Sequence, residues 1–117
     1  RRRVIPRVNV KNHSIIRLDK RHFSGRVVDL SANGISLAIH GYYPDPLAIG
    51  DILEKCSVDI FQPRHNDNIS FDCSIAIRRI DFQSKPEPMT NIGGIFTNYN
   101  KQQEDKVFSY LHEHLVP

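Results

Sequence analysis

From Ile69 to Ile77 the chain alternates without interruption. Ile69, Phe71, Cys73, Ile75 and Ile77 fall on one phase, and Ser70, Asp72, Ser74 and Ala76 on the other. A period of two belongs to a β-strand with one face buried and one face wet. Such a strand cannot stand alone, because its apolar face must be covered by the rest of a sheet. The same alternation recurs in Ile35, Leu37 and Ile39, and in Cys56, Val58 and Ile60. Phe23 to Leu30 predicts a strand centred on Val27-Val28, and Ile92 to Phe96 predicts another. Val8, Val10 and Ile15-Ile16 predict a sixth, broken or bulged near Asn12-His13-Ser14.

Turn residues separate these runs. Asn33-Gly34 is a hairpin signal, with Gly34 expected at positive φ. Residues 43–46, 62–68 and 84–88 read as loops, and Pro86 and Pro88 exclude a central strand there. Only the C-terminus reads as a helix, over residues 100–115. Asn100 is its expected cap, with Gln103 three residues on. Val107, Phe108, Leu111 and Leu115 recur at helical spacing on one face. The expected architecture is mainly all-β: a six-stranded antiparallel barrel over residues 8–97, with a C-terminal amphipathic helix. At 117 residues a single domain is expected, burying roughly two-thirds of its unfolded surface.

No apolar run approaches the roughly 20 residues of a membrane span. The chain opens on Arg1-Arg2-Arg3 without an initiator Met, which reads as an excerpt of a longer protein with an upstream segment. Cys56 and Cys73 fall on the apolar phase of their strands. Two cysteines so placed read as core residues in a reducing compartment, so a cytoplasmic location is expected.

Charge is unevenly placed. There are 16 Lys and Arg against 13 Asp and Glu; Arg1, Arg2, Arg3 and Arg7 account for four of the former, leaving 12 against 13. The positive excess therefore sits in an N-terminal arm, residues 1–7, on a near-neutral body. Such an arm points to an anionic partner for the arm itself. Pro6 pushes Ile5 toward extended backbone, so Arg3 and Arg7 lie on an extended or turning segment. Guanidinium groups there can fork onto phosphates, pair with guanine O6 and N7, or stack on a base. With only Val4 and Ile5 to bury, the arm is expected to be mobile until a ligand joins it to the barrel.

Asp29 and Ser31, two apart in an extended segment, point the same way. Besides bonding the local turn, a carboxylate at Asp29 can accept from a guanine N1–H and amine. Ser31 offers a hydroxyl, and Gly34 allows close approach. Gly93-Gly94 marks a second place of close approach.

Arg3 and Arg7 as Arg-x-x-x-Arg, followed by Asp29, Ser31 and Gly34 as Asp-x-Ser-x-x-Gly, resemble the paired signature of the PilZ family. Gly25-Arg26-Val27-Val28-Asp29-Leu30-Ser31 and Gly34-Ile35-Ser36-Leu37 are similar to the strands flanking that turn. Gly93-Gly94-Ile95-Phe96 before an amphipathic helix is similar to the family's ending, closest to flagellar-brake-like members with a separate N-terminal domain. The resemblance spans essentially the whole chain. It implies a barrel that binds cyclic di-GMP and passes the signal, through the arm, to a neighbouring domain or protein partner. The implied ligand residues are Arg2, Arg3, Arg7, Asp29, Ser31, Gly34 and Gly94. Arg2, as a third guanidinium, implies two stacked ligand molecules per chain.

No cofactor beyond that ligand is expected. His112 and His114 are two apart on a helix and face different ways. His13, His22, His40 and His65 are isolated, so no metal site is expected. No nucleophile elbow, P-loop or zinc-hydrolase pattern is present, so the expectation is a binding module and not an enzyme. Two other readings stand beside it. A small barrel could bind single-stranded nucleic acid through its arm, but such barrels interleave aromatics with basic residues along one face, and the aromatics here are scattered. A degenerate scaffold for protein interaction would have lost the ligand residues, and these are intact.

Overall fold

The computed structural model describes residues 7–18, 23–41, 46–98 and 100–115. Seven strands precede one helix: β1 (Arg7–Asn9), β2 (Ser14–Leu18), β3 (Phe23–Ser31), β4 (Gly34–His40), β5 (Ile52–Gln62), β6 (Asp67–Gln83), β7 (Met89–Thr97) and α1 (Lys101–Leu115). All pairings are antiparallel. β3, β2, β5, β6, β7 and β4 follow one another around the sheet, and β3 pairing with β4 closes the ring. β1 is an extra strand laid on β3. The six-stranded barrel expected from the alternation is therefore present. The break near Asn12-His13-Ser14 is complete, and it makes two strands of one.

Those two strands share a single edge of β3. β2 pairs with Phe23, Ser24 and Gly25, and β1 with Asp29, Leu30 and Ser31. Between them Ser14 serves as a stopgap. Its buried Oγ accepts from Val27 N at 2.9 Å and faces Val27 O at 3.4 Å, while Val10 N donates to Val28 O at 2.9 Å. The backbone polar groups at the gap are thereby satisfied, as burial demands.

The interior follows the alternation read from the sequence. Phe71, Cys73, Ile75 and Ile77 point in from β6, Cys56, Val58 and Ile60 from β5, and Ile35, Leu37 and Ile39 from β4. Phe71 and Phe96 meet edge to face with ring centroids 6.1 Å apart, a favoured aromatic geometry. The loop expected over residues 62–68 is shorter than its composition indicated. β5 runs to Gln62 and β6 begins at Asp67, with Asn66 taking a left-handed conformation at φ 51°.

α1 starts as expected, with Gln103 N donating to Asn100 Oδ1 at 3.0 Å. Its buried face differs from the expected one. Val107 and Leu111 enter the core, joined by Tyr110, whereas Phe108 is 46% exposed. The helix turns residue 110 inward one turn after 107, and Phe108 rotates to the rim. The Tyr110 ring packs on His114 at 4.2 Å between centroids. Burial, followed by the Glu113 carboxylate, pushes the Tyr110 hydroxyl's pKa up. Glu113 ties the helix to the β5–β6 turn, accepting from Gln62 Nε2 at 3.1 Å and meeting His65 Nε2 at 2.7 Å.

Cys56 and Cys73 are cross-strand partners, both buried and both reduced. Burial, then Cys56 and Asp72, push the Cys73 thiol far above its ordinary range, so it holds almost no reactive thiolate. Thiol reagents are expected to leave both cysteines unlabelled in the native protein and to label both in denaturant. Fast native labelling at either would show that its strand faces the other way.

Candidate functional site

The candidate residues lie where β3 turns into β4. A strict alternation from buried Val27 would send Asp29 into the core. The register with β4 slips by one at Val28, where a β-bulge lies between the pairs Val27–Leu37 and Asp29–Ser36. The extra residue resets the phase. Leu30 becomes the next inward side chain, fully buried, and Asp29 emerges on the outer face with its side chain 18% exposed.

β1 carries Arg7 to the same place. Arg7 pairs with Ser31 and Asn9 with Asp29, and Arg7 Nη1 lies 3.4 Å from Asp29 Oδ1. The Arg7 side chain is 61% exposed. An ion pair this long and this wet contributes about 0–1 kcal/mol. It orients the two groups while leaving both able to take another partner. Arg7 is thus part of the sheet. Arg2 and Arg3 lie outside the described residues.

Ser31 and Gly34 have structural work within this turn. Ser31 Oγ accepts from Gly34 N at 3.1 Å and lies 3.1 Å from Asn33 Oδ1. Its hydroxyl spans the turn in place of a backbone bond. The two residues between the strands are Ala32 and Asn33, so the hairpin tip sits one position before the expected Asn33-Gly34. Gly34 does not take positive φ; among the described glycines only Gly41 and Gly50 do. Its bare Cα answers a different need. A Cβ there would stand 2.6 Å from the Gly94 carbonyl oxygen, so β4 and β7 can approach only because Gly34 has none. Gly94 has the same role one layer further on. A Cβ there would meet Ile75 Cγ2 at 2.5 Å and Ala76 O at 2.6 Å. The close approach foreseen at Gly94 is made by β6 of the barrel itself.

The structure therefore brings Arg7, Asp29, Ser31 and Gly34 together, with Gly94 beside them but turned inward. The arrangement offers a carboxylate acceptor and a guanidinium on one open, polar face. A separate cleft, lined by Asn12, Gln62, Pro63, Arg64, Glu113 and His114, shares no residue with this face. Among the described residues no group of three or more His, Cys, Asp or Glu could hold a metal ion. No described helix is long and apolar enough to cross a membrane.

The described residues define a small closed antiparallel β-barrel with an arginine and a carboxylate on its outer wall. The chain belongs to the PilZ domain family, whose model matches residues 1–113. No curated protein matches it in sequence. Among solved structures it is similar to K. pneumonia MrkH in complex with c-di-GMP, with TM-score 0.78 and 11% identity over 99% of this chain and 53% of MrkH. It is also similar to the PilZ domain of Escherichia coli YcgR with c-di-GMP, with TM-score 0.70 and 16% identity over 98% of this chain and 92% of that domain. A third is the Bacillus subtilis inhibitor of motility MotI, with TM-score 0.69 and 16% identity over 98% of this chain and 52% of MotI. The chain thus spans about half the length of the MrkH and MotI chains.

Gly34→Ala is expected to destabilise the ligand-free barrel by about 1–3 kcal/mol, the usual cost of overpacking. A shifted denaturant midpoint reports it. An unchanged midpoint would mean that the β4–β7 contact is not tight.

Proposed function

We propose that this chain is a cyclic di-GMP receptor module, acting by ligand-dependent contact and not by catalysis. The observation that carries this reading is the placement of Arg7 against Asp29 on the outer face, 3.4 Å apart and beside the Ser31–Gly34 turn. Cyclic di-GMP carries two phosphates and two guanines. A carboxylate matches the guanine N1–H and amine, and a guanidinium matches a phosphate or the guanine O6 and N7 edge. The weak Arg7–Asp29 pair is readily exchanged for such partners. That MrkH and the YcgR PilZ domain were solved with c-di-GMP supports the same ligand here.

Arg2 and Arg3 extend the reading. They precede Arg7 in the sequence and add two more guanidinium groups. A stacked pair of ligands brings four phosphates together, and extra cations offset that repulsion. We therefore assign two ligand molecules per chain. The ligand touches the arm and the Asp29–Gly34 turn at once, so binding ties the arm to the barrel. That preference for one arrangement is what a ligand needs to shift a population. The signal then passes to a neighbouring domain or protein partner.

Calorimetry with cyclic di-GMP tests the ligand, with GTP and a short oligonucleotide as controls. Arg3→Ala, Arg7→Ala and Asp29→Ala are each expected to lose about 1.5–3 kcal/mol of binding free energy, the scale of hydrogen bonds to charged groups. Saturation is expected at two ligands per chain. Oligonucleotide binding without cyclic di-GMP binding would reverse the assignment, and saturation at one ligand would remove the stacked pair.

The arm has its own test. Tryptic cleavage after Arg2 and Arg3 is expected to slow strongly at saturating cyclic di-GMP. Equal rates with and without ligand would sink the switch while leaving binding intact.

A further inference from the structure

The cleft that stands apart from the candidate ligand face is built from three distant pieces of chain. Asn12 comes from the link between β1 and β2, Gln62 and Arg64 from the β5–β6 turn, and Glu113 and His114 from the last turn of α1. Hydrogen bonds fasten these pieces to one another. Phe61 N donates to His13 O at 2.9 Å, and the turn closes on itself where His65 N donates to Gln62 O at 3.1 Å. Gln62 Nε2 and His65 Nε2 both hold the Glu113 carboxylate, one on each oxygen. The walls are thus set by the fold itself.

Two opposite charges line this cleft without neutralising each other. The exposed Arg64 guanidinium makes no ion pair among the described residues. Glu113 is kept from swinging across to it, because Gln62 and His65 engage both of its oxygens. Each of those oxygens retains a second lone-pair site. The half-buried Asn12 amide has no hydrogen-bond partner among the described residues either. The His114 ring, packed on Tyr110, gives the cleft a firm side wall.

A ligand that fits must carry both charges. A plain anion would meet the Glu113 carboxylate, and a plain cation would meet the Arg64 guanidinium. A molecule with a carboxylate at one end and an ammonium at the other finds an opposite charge at each. The cleft holds about 230 Å³, below the roughly 300–1,000 Å³ of pockets for drug-sized molecules, so the molecule is small. We propose that this cleft is a second binding site, taking a small zwitterion of the free amino-acid class. Arg64 forks onto the carboxylate, and Glu113 receives the ammonium. The site is independent of the receptor reading.

Titration of the full chain with each common L-amino acid tests it, followed by NMR of the Asn12 amide and the His114 ring. At least one amino acid is expected to give saturable shifts at both residues. Acetate and methylammonium each carry one of the two charges, and are expected to bind at least about tenfold more weakly, the loss of one charged hydrogen-bonding partner. Arg64→Gln is expected to weaken the amino acid about ten- to a hundredfold on the same scale. Its thermal melt is expected to match wild type, since Arg64 is exposed and unpaired among the described residues. Lys101→Gln removes the same charge from the first turn of α1 and is expected to bind like wild type. No saturable shift with any amino acid would overturn the proposal. So would acetate binding as tightly as the amino acid, wild-type affinity in Arg64→Gln, or an equal loss in Lys101→Gln.

Discussion

Everything in this molecule hangs on the two edges of β3. One edge meets β4 and closes the ring; the other is divided between β2 and β1. A strand edge shared by two neighbours has a point that neither of them reaches. On this edge of β3 that point is Val27, and the Ser14 hydroxyl fills it. A buried, unpaired backbone group would cost about 1–3 kcal/mol. Ser14 is the residue that allows two strands to share one edge without that loss.

Bulges then decide which residues face solvent. In β3, Val27 and Leu30 are both core residues although they are three apart, which plain alternation forbids. The additional residue at Val28 reconciles them. Without it Asp29 would point at Leu37 and Ile35, and a lone carboxylate in such a core costs several kcal/mol. β6 repeats the device between Ile77 and Arg79. Both slips in register are compatible with a continuous core.

Much of this was legible in the residues themselves. The alternation from Ile69 to Ile77 gave the sheet, and Asn100 with Gln103 gave the start of the helix. What local sequence could not give was anything fixed by distant strands. Gly34 reads as a turn glycine because it follows Asn33, yet its need is set by the Gly94 carbonyl, sixty residues away. Phe108 fits a helical stripe as well as Tyr110 does, and only the barrel end decides which is covered. The Glu113 contacts with Gln62 and His65 leave no local signal. The bulge in β6 had a faint one. Arg78-Arg79 interrupts an otherwise regular alternation, and so does Val27-Val28; in both places the irregularity marks a bulge.

β1 has a further consequence for motion. It is three residues long and lies outside the ring, so it can detach while the six-stranded barrel stays closed. The cost of that opening is set mainly by Val8 and Val10, both buried. At roughly 1.5–3 kcal/mol per fully buried aliphatic side chain, β1 forms a local folding unit far less stable than the barrel. Arg7 travels with it. Part of the candidate face therefore fluctuates on its own account, and in the proposed receptor its affinity can be tuned through two buried valines on the other side of the strand from solvent.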